Sequence, residues 1–124
     1  MTKIFCFGNE FIHHDSLAKE ITDEIKEFEI IKCNTPDNLI NHENLDNIII
    51  IDVVRGIDKA ILITDIDKLR TNKSISAHDL DLGFYLKLYK EMKKINNVKI
   101  IGIPQQGNKE QLKEQVIGLL KDNI

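Results

Sequence analysis

The stretch NIIIIDVVRGIDKAILIT, residues 47–64, decides the fold. Its first half holds four consecutive isoleucines, then Asp52, Val53 and Val54. An apolar run this short and this β-branched is a strand buried on both faces, as in the parallel sheets of α/β proteins. Ala60–Thr64 reads as another strand, and only Arg55-Gly56-Ile57-Asp58-Lys59 separates the two. A parallel crossover needs a dozen or more residues. Five cannot supply one, so these strands, the third and fourth of the chain, are expected to form an antiparallel hairpin.

Working outward gives the rest of the order. KIFCF, residues 3–7, is a first strand ending at Gly8. Ser16 can cap a helix whose stripe is Leu17, Ile21, Ile25 and Phe28. Residues 29–33 form a second strand, and Thr35-Pro36 starts a short helix to about residue 41. Residues 65–77 are polar and long enough for a functional loop. Leu80, Leu82, Tyr85, Leu86, Tyr89 and Met92 mark a long amphipathic helix. VKIIGI, residues 98–103, is the last strand, and Leu112, Val116, Leu119 and Leu120 line the last helix. The predicted fold is α/β: a three-layer α/β/α sandwich on a mostly parallel five-stranded sheet with one antiparallel strand.

The chain has 124 residues and is expected to be one domain spanning 1–124. Apolar residues make up 42% and charged ones 30%, the balance of a soluble globular protein. A net charge of -3 without a basic run argues against nucleic acid. No apolar run approaches the roughly 18 residues of a membrane span. The N-terminus reads as a strand rather than a leader, so a cytoplasmic location is expected. Cys6 and Cys33 are expected to be buried free thiols.

In open α/β sheets ligands bind at the carboxyl ends of the strands. Asp15 follows the first strand, Asp52 ends the apolar part of the third, and His78 lies before the long helix. Strands one and three are expected neighbours, so Asp15 and Asp52 should face each other there. Two carboxylates and an imidazole suit Ni, Zn, Fe or Mn better than Ca or Mg. The same trio suits general acid/base work. Each residue also has a blander use, since acids cap turns and histidines precede helices on many surfaces.

These residues resemble a family. GNEFIHHD, residues 8–15, is similar to the GNxLxxDD/DE signature of the hydrogenase maturation endopeptidases. IIIIDVVRG, SAHDLDL and IIGIPQQ resemble that family's acid-ended strand, its Ser-x-His segment and its final strand, in family order. The resemblance implies an endopeptidase that removes the C-terminal extension of a nickel-loaded [NiFe]-hydrogenase large-subunit precursor. It implies that Asp15, Asp52 and His78 contact the nickel and carry the chemistry, with Gly8 and Asn9 near the substrate. The nickel would then arrive with the substrate, and no organic cofactor is implied.

The sequence departs from the family pattern in places. His14 stands where the family has the first acid of its pair, and is a candidate further ligand. Ser16 and Ala18 stand where glycines are common, which implies a tighter loop. The chain is short, like the members that accompany deazaflavin-reducing hydrogenases. A maturation helper that binds the precursor without cutting is the alternative. A response-regulator receiver would need an acidic pair after strand one and a Lys before Pro104. The chain has Asn9-Glu10 and Ile103. No GxGxxG or GxxxxGK[ST] follows strand one, against a nucleotide-binding domain.

Overall fold

The computed structural model describes residues 2–7, 16–33, 45–54, 57–64 and 95–124. Five strands are present: β1 (Thr2–Phe7), β2 (Ile30–Cys33), β3 (Leu45–Val54), β4 (Ile61–Ile63) and β5 (Ile95–Pro104). Two helices are described, α1 (Ser16–Glu24) and α2 (Lys109–Asn123). The short helix expected after Thr35 and the long helix expected from Leu80 lie outside the described residues.

The strands form one sheet in the order β2-β1-β3-β5-β4. The first four are parallel and β4 runs antiparallel to β5. The α/β class and the five-stranded sheet with a single antiparallel strand are as the sequence predicts. So is the pairing of β1 with β3, where the chain reverses its direction of travel through the sheet.

The expected hairpin is not there. β4 pairs with β5, not with β3. The reason lies in strand length. β3 and β5 are ten residues each, with partners from Leu45↔Ile95 to Val54↔Pro104. A three-residue β4 offers β3 far fewer hydrogen bonds and less apolar surface. β5 therefore takes the place beside β3, and β4 lies beyond it. There the Ala60 amide donates to Gln115 Oε1 of α2 at 2.9 Å, fixing the start of β4 beyond β5.

α1 and α2 cover one face of the sheet. Ile4 and Cys6 of β1, Ile49, Ile51 and Val53 of β3, and Ile101 and Ile103 of β5 point into this layer. Ala18 and Ile21 of α1 and Leu112, Val116 and Leu120 of α2 meet them. Fully burying an isoleucine is worth about 1.5–3 kcal/mol relative to exposure, so this cluster drives the fold. On the other face Phe5, Ile48, Ile50 and Ile100 are buried as well. The sheet is thus a middle layer, closed on both sides. Lys109 Nζ lies 2.7 Å from Glu24 Oε2 and ties the two helices at their exposed edge. That contact, chiefly its hydrogen bond, lowers the Glu24 pKa from its ordinary value.

Two expectations about α1 are corrected. The helix ends at Glu24 rather than running on to Phe28. Its last turn tightens, with the Ile25 amide donating to the Thr22 carbonyl at 3.2 Å. Ile25 is still buried, so the apolar stripe outlasts the helix. Ala18 is not part of a loop either. It lies in the first turn of α1 and is fully buried, its methyl serving the core.

α2 begins with a conventional cap. Asn108 Oδ1 accepts from the Gln111 amide at 3.0 Å. Gly107 before it has φ 157°, and a Cβ there would meet Leu112 Cδ1 at 3.0 Å. Both terms favour glycine at this turn.

Candidate functional site

The parallel strands β1, β3 and β5 bring their carboxyl ends to one edge of the sheet. On β3 that edge carries Asp52, which breaks a run of apolar residues. Its neighbours Ile51 and Val53 point to the α1/α2 layer, so its carboxylate points to the opposite face. Asp52 is only 1% exposed. A carboxylate this dry is costly unless hydrogen bonds, opposite charges or a metal compensate it. One compensation is local: the Val53 amide donates to Asp52 Oδ1 at 2.8 Å and fixes the orientation of that oxygen.

The strand beside it contributes a feature that the sequence reading passed over. Asp52 is in register with Gly102 of β5, which in turn is in register with Ile61 of β4. The one row of β5 that flanks the carboxylate therefore has no side chain. The available signal was a glycine inside the β-branched run IIGI, at residues 100–103.

Cys6 lies one row below, on the helical face, paired with Ile51. Burial pushes its thiol up to about 11, and the nearby Asp52 charge adds to the rise. A hydrogen bond from Thr22 and the Lys32 charge pull the other way. Thr22 Oγ1 is 3.5 Å from Cys6 Sγ and 3.0 Å from the Lys19 carbonyl. Lys32 donates to Thr22 Oγ1 and pairs with Asp23 at 2.8 Å. A thiol held this high stays protonated at neutral pH, so Cys6 is no nucleophile. It is a free thiol, as expected.

Of the residues predicted for the site, Asp52 alone is among those described. Gly8, Asn9, His14, Asp15 and His78 lie outside them. Among the described residues no three His, Cys, Asp or Glu side chains gather as metal ligands would. No helix among them is long and apolar enough to cross a membrane.

A second polar place sits at the opposite end of the same strands. Asn97 Nδ2 donates to Asn47 Oδ1 at 2.9 Å across β5 and β3. With Lys99 and Asn123 these amides line an open notch of about 240 Å³. It lies at the amino ends of the strands, where open α/β sheets do not place their ligands.

The family model for HycI, hydrogenase maturation protease, matches residues 34–123. The matched span includes the positions of Asp52 and His78 and leaves out residues 8–15. Among solved structures, the hydrogenase maturating endopeptidase HybD from E. coli aligns with a TM-score of 0.66 at 16% identity, over 97% of this chain and 93% of that one. The solution structure of an endopeptidase from Escherichia coli aligns at 0.67 and 20% identity, with the same coverage of each chain. An uncharacterized protein from Wolinella succinogenes aligns at 0.58 and 16% identity, over 98% and 96%. No curated protein sequence matches the chain. At such identities the structural likeness establishes the fold.

Proposed function

The chain belongs to the hydrogenase maturation protease family, and from that premise we propose that it is an endopeptidase acting on a nickel-loaded [NiFe]-hydrogenase large-subunit precursor. It removes the C-terminal extension of that precursor in the cytoplasm. The observation that carries this reading is Asp52, a buried acid at the carboxyl end of the central strand, inside the segment that matches the family. Asp15 and His78 complete the trio by the sequence resemblance, and His14 is a candidate fourth ligand.

The chemistry follows from the donor set. The nickel is part of the substrate, held by the precursor's own cysteines. Two carboxylates and an imidazole are oxygen and nitrogen donors that suit its open positions. Asp52, oriented through its Oδ1 by the Val53 amide, supplies an anionic oxygen from a dry site, where Coulombic attraction to a cation is strong. The same carboxylate can accept a proton from the attacking water, or the metal can polarise the scissile carbonyl. Gly8 and Asn9 contribute main-chain contacts to the substrate.

The test is incubation with nickel-loaded precursor followed by intact-mass measurement. Loss of the tail with wild type, and its retention with Asp52→Ala, supports the proposal. An Asp52→Ala protein that still processes at the wild-type rate removes its centre. A second reading has its own observation: the family match leaves out residues 8–15, where His14 replaces an acid. On that reading the chain binds the nickel-loaded precursor as a checkpoint and does not cut it. Complex formation with an intact tail would select it.

A further inference from the structure

Strands buried inside a parallel sheet run almost continuously apolar, and a lysine there is out of place. Lys99 is such a lysine. It interrupts the run VKIIGI, residues 98–103, and stands in register with Ile49, which is only 1% exposed. Side chains alternate along a strand, so Lys99 shares the α1/α2 face with Ile101, two residues on. It is half-buried, and among the described residues no carboxylate pairs with it. A lysine can lay its methylenes on apolar neighbours while the ammonium reaches an opening. The opening here is the notch of about 240 Å³ at the amino ends of β3 and β5, which Lys99 lines.

The other polar groups of that notch are mostly unspent. Asn97 Nδ2 gives one hydrogen to Asn47 Oδ1 at 2.9 Å, and this clasp holds both side chains in place across the strands. Two carboxamides joined by one such bond keep three N–H groups and one oxygen for other partners. Asn123 lines the notch from the end of α2, its own amide nitrogen bonded to the Leu119 carbonyl at 2.8 Å. One full positive charge therefore stands beside several neutral donors, in open space.

We propose that this notch is a binding site for a small monocarboxylate, held by a charge-assisted hydrogen bond from Lys99 and by the remaining amide hydrogens of Asn47 and Asn97. One cation matches one negative charge, whereas a phosphate dianion leaves a charge unmet. The volume equals that of about eight water molecules at roughly 30 Å³ each, which admits a short organic acid and excludes a nucleotide. The chemistry of open α/β sheets lies at the carboxyl edge, so this site is separate from Asp52 and independent of proteolysis. Its occupant bridges β3, β5 and the last turn of α2. Binding only the folded chain, it raises stability by mass action.

The test is titration with sodium acetate and with sodium lactate at constant ionic strength, read from the side-chain amide signals of Asn47 and Asn97 in nitrogen-15 NMR. Both signals should move saturably, with a Kd of about 1–10 mM, and Tm should rise with carboxylate concentration. Lys99→Met keeps the stem and removes the charge, so affinity should fall at least about tenfold. Where that variant does not fold, Asn47→Ala decides through the Asn97 signal: at least about threefold weaker binding supports the site, and unchanged binding overturns it. Wild-type affinity in a folded Lys99→Met also overturns it. So does the lack of any saturable shift with either acid up to about 50 mM, or an equal shift with sodium chloride. Inorganic phosphate binding more tightly than both acids overturns the monocarboxylate class.

Discussion

The paired strands β3 and β5 hold a polar group at each end of the pair, and the two ends handle it in opposite ways. At the amino end Asn47 faces Asn97, and one amide satisfies the other beside open solvent. Five residues on, Asp52 faces Gly102 in a closed interior. The first arrangement is what stability alone would choose: like chemistry in register, hydrogen-bonded, with water at hand. The second puts the group hardest to desolvate against the residue least able to pack. A fold retains such a pairing when something outside the chain uses it.

That contrast can be attacked from several directions. The largest effect should come from Asp52→Asn, which keeps shape and removes charge. Processing measured by intact mass should fall at least about a hundredfold, while the circular dichroism spectrum stays native. Unchanged processing would put the two polar ends on the same footing. Next, Ile101→Ala, which cuts into the layer joining the ends, should cost about 2–5 kcal/mol in urea unfolding whatever happens at the site.

The dryness of the carboxyl end can be read from Cys6. Its thiol keeps its proton to about pH 11 in the fold, against 9.0 ordinarily. The unfolded chain therefore ionises first. Stability should be full below pH 9 and decline as pH rises from 9 toward 11, and native protein at pH 8 should resist iodoacetamide until urea is added. Rapid native labelling would mean that this end is wet. Smallest of all, Asn97→Ala should cost about 0.5–1.5 kcal/mol at most and leave processing intact. A processing defect there would move function to the amino end and undo the comparison.

Much of the sheet was legible in the sequence because its signals are local. Four isoleucines before Asp52 mark a central strand whatever lies around them. The partner of β4 was not legible. A five-residue turn between strands is equally consistent with a hairpin and with passage over an intervening strand. The choice is made by β5, whose length wins the place beside β3. Ala18 misled for a related reason: a helix start is set by what the first turn buries, and that depends on distant Ile49 and Val116. Within the site, Asp52 was readable as an acid after an apolar run. Gly102 became significant only with the register, because its meaning lies in the residue across from it.

The displaced β4 also sets a timetable. Ile61 must wait for Gly102 and Ile63 for Ile100, partners some forty residues further along the chain. A nascent polypeptide that has emerged through Thr64 holds β3 with one flank bare, its isoleucine ladder open to any passing strand. Pairing at such separation is slow, since loop closure precedes its reward. The ribosome must therefore release the chain through β5 before the sheet can close. During that interval the emerging chain needs shelter from its own siblings, and premature termination anywhere before residue 95 should yield inclusion bodies in place of a smaller soluble domain.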